Sequence, residues 1–477
     1  MTGRRFVLAL LLAGGCAPKL AQGPARAVEL QLPTDADGSS PSSAAQPYQE
    51  LLSDPNLVAL IDEALAQNQE LALLQQEVFV TRAELRAKKG EVLPQAGLQV
   101  GAGVEKVGRF TSQGASDADD PILPGRTVPE VLGDVDAGFV ASWEVDVWKR
   151  LRNASKAARF RYLASVEGRN FAVTQLVSEV ADAYYELEAL DNQLEVIEAN
   201  IELQSNSLEV LELQKAAGRV TELAVQRFQA DRLRNQSHRF DVLQEIIATE
   251  NRLHFLLGRL PQPIARDSAA FIETEPGQLA VGTPADLLEN RPDVRAAEAE
   301  LEAAKLDVKS ARAAFYPSLG IDAEVGLNSF DLQHLVDPES IAWGVAGRVL
   351  APLVNRAELR ARYDADNARQ VAAVIAYERT VLGAWLEVST QMSMVKNTTE
   401  SLTLRRQQVA RLEDASQTSS DLFRSARADY LEVLTTRREA LESKLELIET
   451  RRDQMRAVVD TYQALGGGWR PVEGGQG

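Results

Sequence analysis

Cys16 is the single cysteine of the chain, so disulfide chemistry within it is excluded and the thiol's position carries the information. Arg4 and Arg5 precede an apolar run from Phe6 to Leu12, and Ala13-Gly14-Gly15 lead into the cysteine. A basic start, a short apolar stretch and small residues make a bacterial export signal. The arrangement is similar to a lipoprotein signal, in which Cys16 would become the lipidated first residue, with residues 1–15 removed and residues 16–50 following as a lipidated tether. Ala17 rather than Asp after the cysteine points to the outer membrane. An ordinary signal peptide cleaved elsewhere is the rival reading. The other chemistry-bearing types form no catalytic or metal motif. His238, His254 and His334 share no metal-ligand spacing, and there is no Gly-rich phosphate loop or nucleophile motif. No enzyme, no metal and no cofactor beyond the lipid is expected.

A second group of polar residues stands out by spacing. Between Val135 and Val147 the apolar residues Val135, Ala137, Phe139, Ala141, Trp143, Val145 and Val147 alternate with Asp136, Gly138, Ser142, Glu144 and Asp146; Val140 is the exception. Period two marks a strand, and one wholly apolar face suits lipid outside with water inside. Asp136, Ser142, Glu144 and Asp146 then face a lumen. After Pro317, Asp322 and Glu324 alternate with Leu319, Ile321, Ala323, Val325 and Leu327 in the same way.

The elements that must position these residues repeat. Strands are predicted at about 96–107, 135–148, 318–328 and 341–350. From Arg150 to Ala217 there is no proline and one glycine, Gly168, so a single helix of about 150–217 is predicted, ~95 Å long. Leu187, Leu190, Leu194, Ile197, Ile201, Leu208 and Leu211 keep heptad spacing along it, with Gln204 in one slot. A second long helix spans about 357–425, and a final helix carries Leu431, Leu434, Leu441, Leu445, Ile448, Met455, Val459 and Tyr462. A single helix is expected from the Ser53-Asp54-Pro55 cap to Val92, stopped by Pro94. Asn68-Gln69-Glu70-Leu71 matches Asn290-Arg291-Pro292-Asp293-Val294, and Leu257-Gly258 matches Leu465-Gly466. The organisation is therefore a first repeat at 51–260, an irregular connector at 261–284, a second repeat at 285–466 and a tail at 467–477.

A formal charge of -18 argues against nucleic-acid binding. It fits either a solvated acidic surface or an acidic, cation-tolerant lumen. No later apolar run reaches the ~20 residues of a transmembrane helix, so a spanning structure must use strands. Four strands cannot close a membrane barrel, which takes at least about eight. One protomer is thus incomplete, and symmetric oligomerisation is expected.

The duplicated helix–strand–strand–helix–helix unit resembles the TolC-like outer-membrane efflux factors, in particular their lipid-anchored subgroup. The likeness rests on Ser142-Trp143-Glu144-Val145-Asp146-Val147-Trp148 running into Arg150-Leu151-Arg152, on Leu288-Glu289-Asn290-Arg291-Pro292-Asp293-Val294 and on Ala313-Ala314-Phe315-Tyr316-Pro317-Ser318-Leu319. Asp429-Tyr430-Leu431-Glu432-Val433-Leu434 and Tyr462-Gln463-Ala464-Leu465-Gly466-Gly467-Gly468-Trp469 complete it. The resemblance implies a mainly α fold with a transmembrane β-barrel, four strands per protomer completing a trimeric twelve-stranded barrel, and a long periplasmic helical tunnel. It implies a homotrimer docked to a periplasmic adaptor and a proton-driven inner-membrane pump, conducting small molecules passively out of the cell. The outer channel of a type I protein secretion system is the alternative.

In that family an Asp follows the Val-Leu pair at the second helical turnaround and contributes to the closed constriction. Here Thr435 holds that position. The resemblance then puts the periplasmic gate on Glu432 and Asp429 with Arg424 and Arg427, and adaptor docking on Gly218, Arg219, Ala426 and Arg427.

Overall fold

The computed structural model describes residues 42–117, 121–277, 279–280, 286, 289–425 and 427–470, with the backbone alone at 122, 123 and 126. Cys16, the signal segment, most of the tether, Ala426, part of the connector and the end of the tail lie outside the described residues. Two units are distinct: residues 80–162 with 299–375, and residues 42–79 with 163–298 and 376–470.

In the first unit the alternating segments become β1 (Gln95–Glu105), β4 (Leu132–Val145), β5 (Ser318–Ser329) and β6 (Ile341–Leu350), between which β2 (Pro121–Leu123) and β3 (Arg126–Thr127) form a separate small hairpin. The four long strands form an antiparallel sheet in the order β1-β4-β5-β6. Its register sorts the side chains as the period predicted. Leu98, Phe139, Val325 and Trp343 form one cross-strand row, and Gln95, Ser142, Asp322 and Ala346 form a row on the opposite face. Phe139 is 66% exposed and Trp343 76%, so the apolar face is bare within one chain. The outer edges of β1 and β6 are likewise unpaired in the sheet.

β4 ends three residues earlier than expected. Asp146, predicted to point into the lumen, lies beyond the strand and is buried. Its carboxylate accepts from the backbone N–H of Leu151 at 3.1 Å and of Arg152 at 2.9 Å. Those are amides of the first turn of α3 (Arg150–Ala216), which otherwise lack partners. The residue serves as a helix cap, and the backbone reaches it by a left-handed Lys149. Trp148 stacks on Tyr316 at 4.8 Å and donates to the Pro317 carbonyl at 2.8 Å, joining the strand-to-helix junction of the first repeat to the helix-to-strand junction of the second.

The second unit holds the turnaround ends of the long helices. The predicted heptad of α3 packs inward: Leu187 and Ile197 are fully buried, with Leu190, Leu208 and Leu211 close behind. Each fully buried aliphatic side chain contributes about 1.5–3 kcal/mol. Gln204 fills its heptad slot without an unsatisfied group, donating to Asp231 at 2.6 Å and accepting from Asn235 at 3.1 Å, both on α4 (Glu222–Leu257). In the last heptad Leu441, Ile448, Met455, Val459 and Tyr462 are buried, whereas Leu431 is 44% exposed.

The helix expected to run unbroken from Asp54 to Val92 is two, α1 (Pro55–Gln67) and α2 (Gln69–Gly90). Asn68 breaks it. Its Oδ1 accepts from Leu71 N–H at 2.9 Å and its Nδ2 donates to the Leu256 carbonyl at 2.9 Å. The tether reading also ends sooner than expected, because residues 42–50 are packed: Tyr48 is 5% exposed in the core. The other long helices are α5 (Pro292–Ala313), α6 (Ala357–Arg424) and α7 (Tyr430–Ala464).

Candidate functional site

Two regions carry the polar and tip residues singled out above. The first is the polar face of the sheet. Asp136 sits opposite Gly101 and Asn328, and Gln99 donates to its carboxylate at 3.3 Å. Ser142 and Asp322 are direct cross-strand partners. The face is less acidic than its composition suggested. Glu144 is clamped by Arg150 at 2.7 and 2.9 Å, and Arg348 lies 3.7 Å from Asp322. Glu324 is exposed beside Gly344 and, among the described residues, has no ion-pair partner. A water-filled duct tolerates such a face; a lipid contact would not.

The second region is the pair of turnarounds in the second unit. α3 ends at Gly218, whose φ of +69° suits glycine, with Arg219 N–H returning to the Gln214 carbonyl at 2.9 Å. Thr221 then caps α4, and Lys215 pairs with Glu222 across the turn. The second turnaround repeats the plan 208 positions later, where Arg427 N–H returns to the Leu422 carbonyl at 2.8 Å and Asp429 is the N-cap position of α7. The two turns pack on one another: Phe423, Tyr430 and Leu434 cover Leu208, Leu211, Val225 and Phe228. Leu223 and Leu431, equivalent by that offset, are exposed at 53% and 44%.

These features are those of a channel protomer, and comparison with known proteins decides the family. The family model described as outer membrane efflux protein matches residues 60–259 and 283–467, one segment for each repeat. The chain belongs to the outer membrane efflux protein family. Among the relatives of this efflux protein is the solvent efflux pump outer membrane protein SrpC of Pseudomonas putida, 30% identical over 97% of both chains. The cation efflux system protein CusC of Escherichia coli is 27% identical over 98% of both. A crystal structure of a membrane protein from Pseudomonas aeruginosa superposes with a TM-score of 0.80 at 25% identity, covering 94% of this chain and 99% of that one.

The efflux-protein motifs read from the sequence prove to be structural latches. Gly258, with φ +68°, presses on α1, where an added Cβ would sit 2.5 Å from the Gln67 carbonyl oxygen. Gly466 repeats this with φ +87° against Asn290. Arg291 donates to the Ala464 carbonyl at 2.6 Å and pairs with Asp293 and Glu387, each at 2.8 Å. Trp469 donates to the Asn290 carbonyl at 3.2 Å and stacks between Arg295 and Arg470.

The residues that the resemblance nominates for a gate are not brought together within one chain. Arg424 lies 3.5 Å from Asp421 on its own helix, and neither Glu432 nor Asp429 forms an ion pair with Arg424 or Arg427. A link between the two hairpins near their turnarounds is one that spacing did not reveal. Arg437 of α7 donates to Ser207 of α3 at 2.5 Å and to Ser420 of α6 at 3.2 Å. Burial and the charge of Arg424 hold its guanidinium below the usual range. Its only sequence signal is an arginine two residues beyond Thr435, too weak to find it. His254 is also structural, its Nε2 accepting from Gln262 N–H at 3.2 Å.

Proposed function

We propose that this chain is the outer-membrane exit duct of a tripartite efflux system, a homotrimer that passively conducts small molecules from an inner-membrane pump and periplasmic adaptor to the exterior. One observation carries the reading: a four-stranded sheet with one apolar face, one polar face and both edges unpaired. Such edges are not tolerated in lipid. Three copies, joining β1 of one to β6 of the next, make three times four strands and remove every edge. The apolar face of β4 from Val135 to Val145 measures ~34 Å at ~3.4 Å per residue. A ~40° strand tilt lowers it to ~26 Å, close to the ~25 Å apolar band of such barrels.

The relatives named for solvent and cation efflux support small-molecule cargo rather than secreted protein. The paired, exposed turnarounds supply the docking end for an adaptor, and Cys16 supplies a lipid anchor. Native mass measurement and planar-bilayer recording of the detergent-purified protein test the proposal. Three copies and a discrete conductance are expected; a stable monomer or an inert particle would overturn it.

A further inference from the structure

Glu188 of α3 is a carboxylate with no evident task. Its residue is 5% exposed, and its side chain makes no hydrogen bond or ion pair among the described residues. Charged and titratable groups of α1, the connector and α3 itself act on it. Asp54 lies at the start of α1, Asp267 and Arg266 on the connector, and Asp191, Tyr184 and Tyr185 on α3 itself. Arg451 of α7 reaches the same neighbourhood through Tyr185, and Glu250 of α4 through Arg266. The cation nearest to it is already committed. Arg266 donates to both oxygens of Asp191, at 2.6 and 3.0 Å, and to Glu250 at 2.8 Å. Tyr184 occupies Asp54 with a 2.5 Å hydrogen bond.

The segment bonded to Asp191 and Asn192, on the next helical turn of the same face of α3 as Glu188, is a strap. Ser268 donates to Asp191 at 2.7 Å and accepts at its carbonyl from Asn192 at 2.7 Å. Phe271 plugs into the core at 1% exposure, while its carbonyl accepts from Arg451 at 3.3 Å and that of Ile272 accepts from Arg406 at 2.8 Å. Farther on, Ala280 and Ser43 exchange hydrogen bonds at 2.8 Å. The strap thus ties α3, α4, α6, α7 and the N-terminal segment across the junction between repeats.

We propose that Glu188 is a proton-held catch for this strap: protonated, it lets residues 264–273 seat over α3, and its ionisation among Asp54, Asp191 and Asp267 loosens them. The inference goes beyond the channel reading and does not depend on cargo. Desolvation, then the three carboxylates, push the Glu188 carboxyl up to about 8 from an ordinary 4.5. A carboxyl whose folded value is raised binds its proton more tightly when the strap is closed. Stability of the closed strap is therefore full below the ordinary value and falls as pH rises through about 8.

The test is hydrogen exchange of the full chain in detergent at pH 6 and pH 9, corrected for intrinsic rates. In the parent, protection of residues 264–273 should fall about a hundred-fold between those pH values, from the linkage of one proton. In Glu188→Gln, which keeps the side-chain shape without the charge, protection should stay level. Asp267→Asn removes one repelling carboxylate and should move the parent's midpoint to lower pH. Level protection in the parent, an unchanged fall in Glu188→Gln or an unmoved midpoint in Asp267→Asn would each overturn the proposal.

Discussion

Arg437 and Ser207 stand on different helical hairpins, yet the guanidinium of one donates to the hydroxyl of the other at 2.5 Å. With the second donation to Ser420, a single half-buried arginine ties the ends of α3, α6 and α7 together without a carboxylate partner among the described residues. Arg437→Ala should lower hairpin stability by about 1–3 kcal/mol, the cost of losing a charged hydrogen bond. It should also raise single-channel conductance in planar bilayers. Ser207→Ala should act in the same direction and more weakly, and unchanged conductance in both would remove this contact from the gate.

Glu432→Ala combined with Arg427→Ala tests a pairing between copies. The double variant should conduct more than the parent, whereas Asp146→Ala, which removes a helix cap, should reduce folded yield without opening the channel. A double variant that conducts like the parent would place the constriction elsewhere.

The sheet register makes a two-sided prediction. Lysine at Phe139 or Ile321 should cost about 2–4 kcal/mol near the bilayer midplane. At Ser142 or Asp322, on the opposite face, lysine should be tolerated. Heat-resistant oligomer on denaturing gels reads the difference, and equal tolerance on both faces would refute the register.

Lipid attachment has its own measurement. Cys16→Ser should abolish palmitate labelling yet leave protein in the outer membrane, because an acyl chain adds about 0.8 kcal/mol per buried methylene to an insertion that the barrel already secures. Labelling that persists would eliminate Cys16 as the acceptor.

Asp182 predicts a pH slope in the second unit. Burial and then Asp460 raise its carboxyl to about 7, against the lowering effect of Arg456. The folded form therefore holds a proton that the unfolded form releases. Stability should fall as pH rises from the ordinary carboxylate value through about 7, by no more than about 1.4 kcal/mol per pH unit for one proton. Asp182→Asn should flatten that part of the profile in chemical denaturation.

Much of the architecture was legible in the residues alone. Period two placed the strands after Val135 and after Pro317 and assigned their faces, because alternation needs only neighbours two apart on one chain. The absence of breakers from Arg150 onward and the heptad of leucines placed the long helix for the same local reason. The repeat matched Gly258 with Gly466, and closure of four strands required further copies.

Tertiary structure decided the rest, wherever a polar group's partner lies far along the chain. Asn68 looks like a helix-interior residue until Leu256, 188 positions away, offers its carbonyl and the helix breaks. Asp146 continues the alternation in sequence, but the orphan amides of α3 bind its carboxylate more favourably than a further strand residue would. Arg437, Ser207 and Glu188 carry no local signal strong enough to single them out. Their roles come from which charges and hydroxyls are removed from water beside them, and burial of that kind exists only once distant helices have packed.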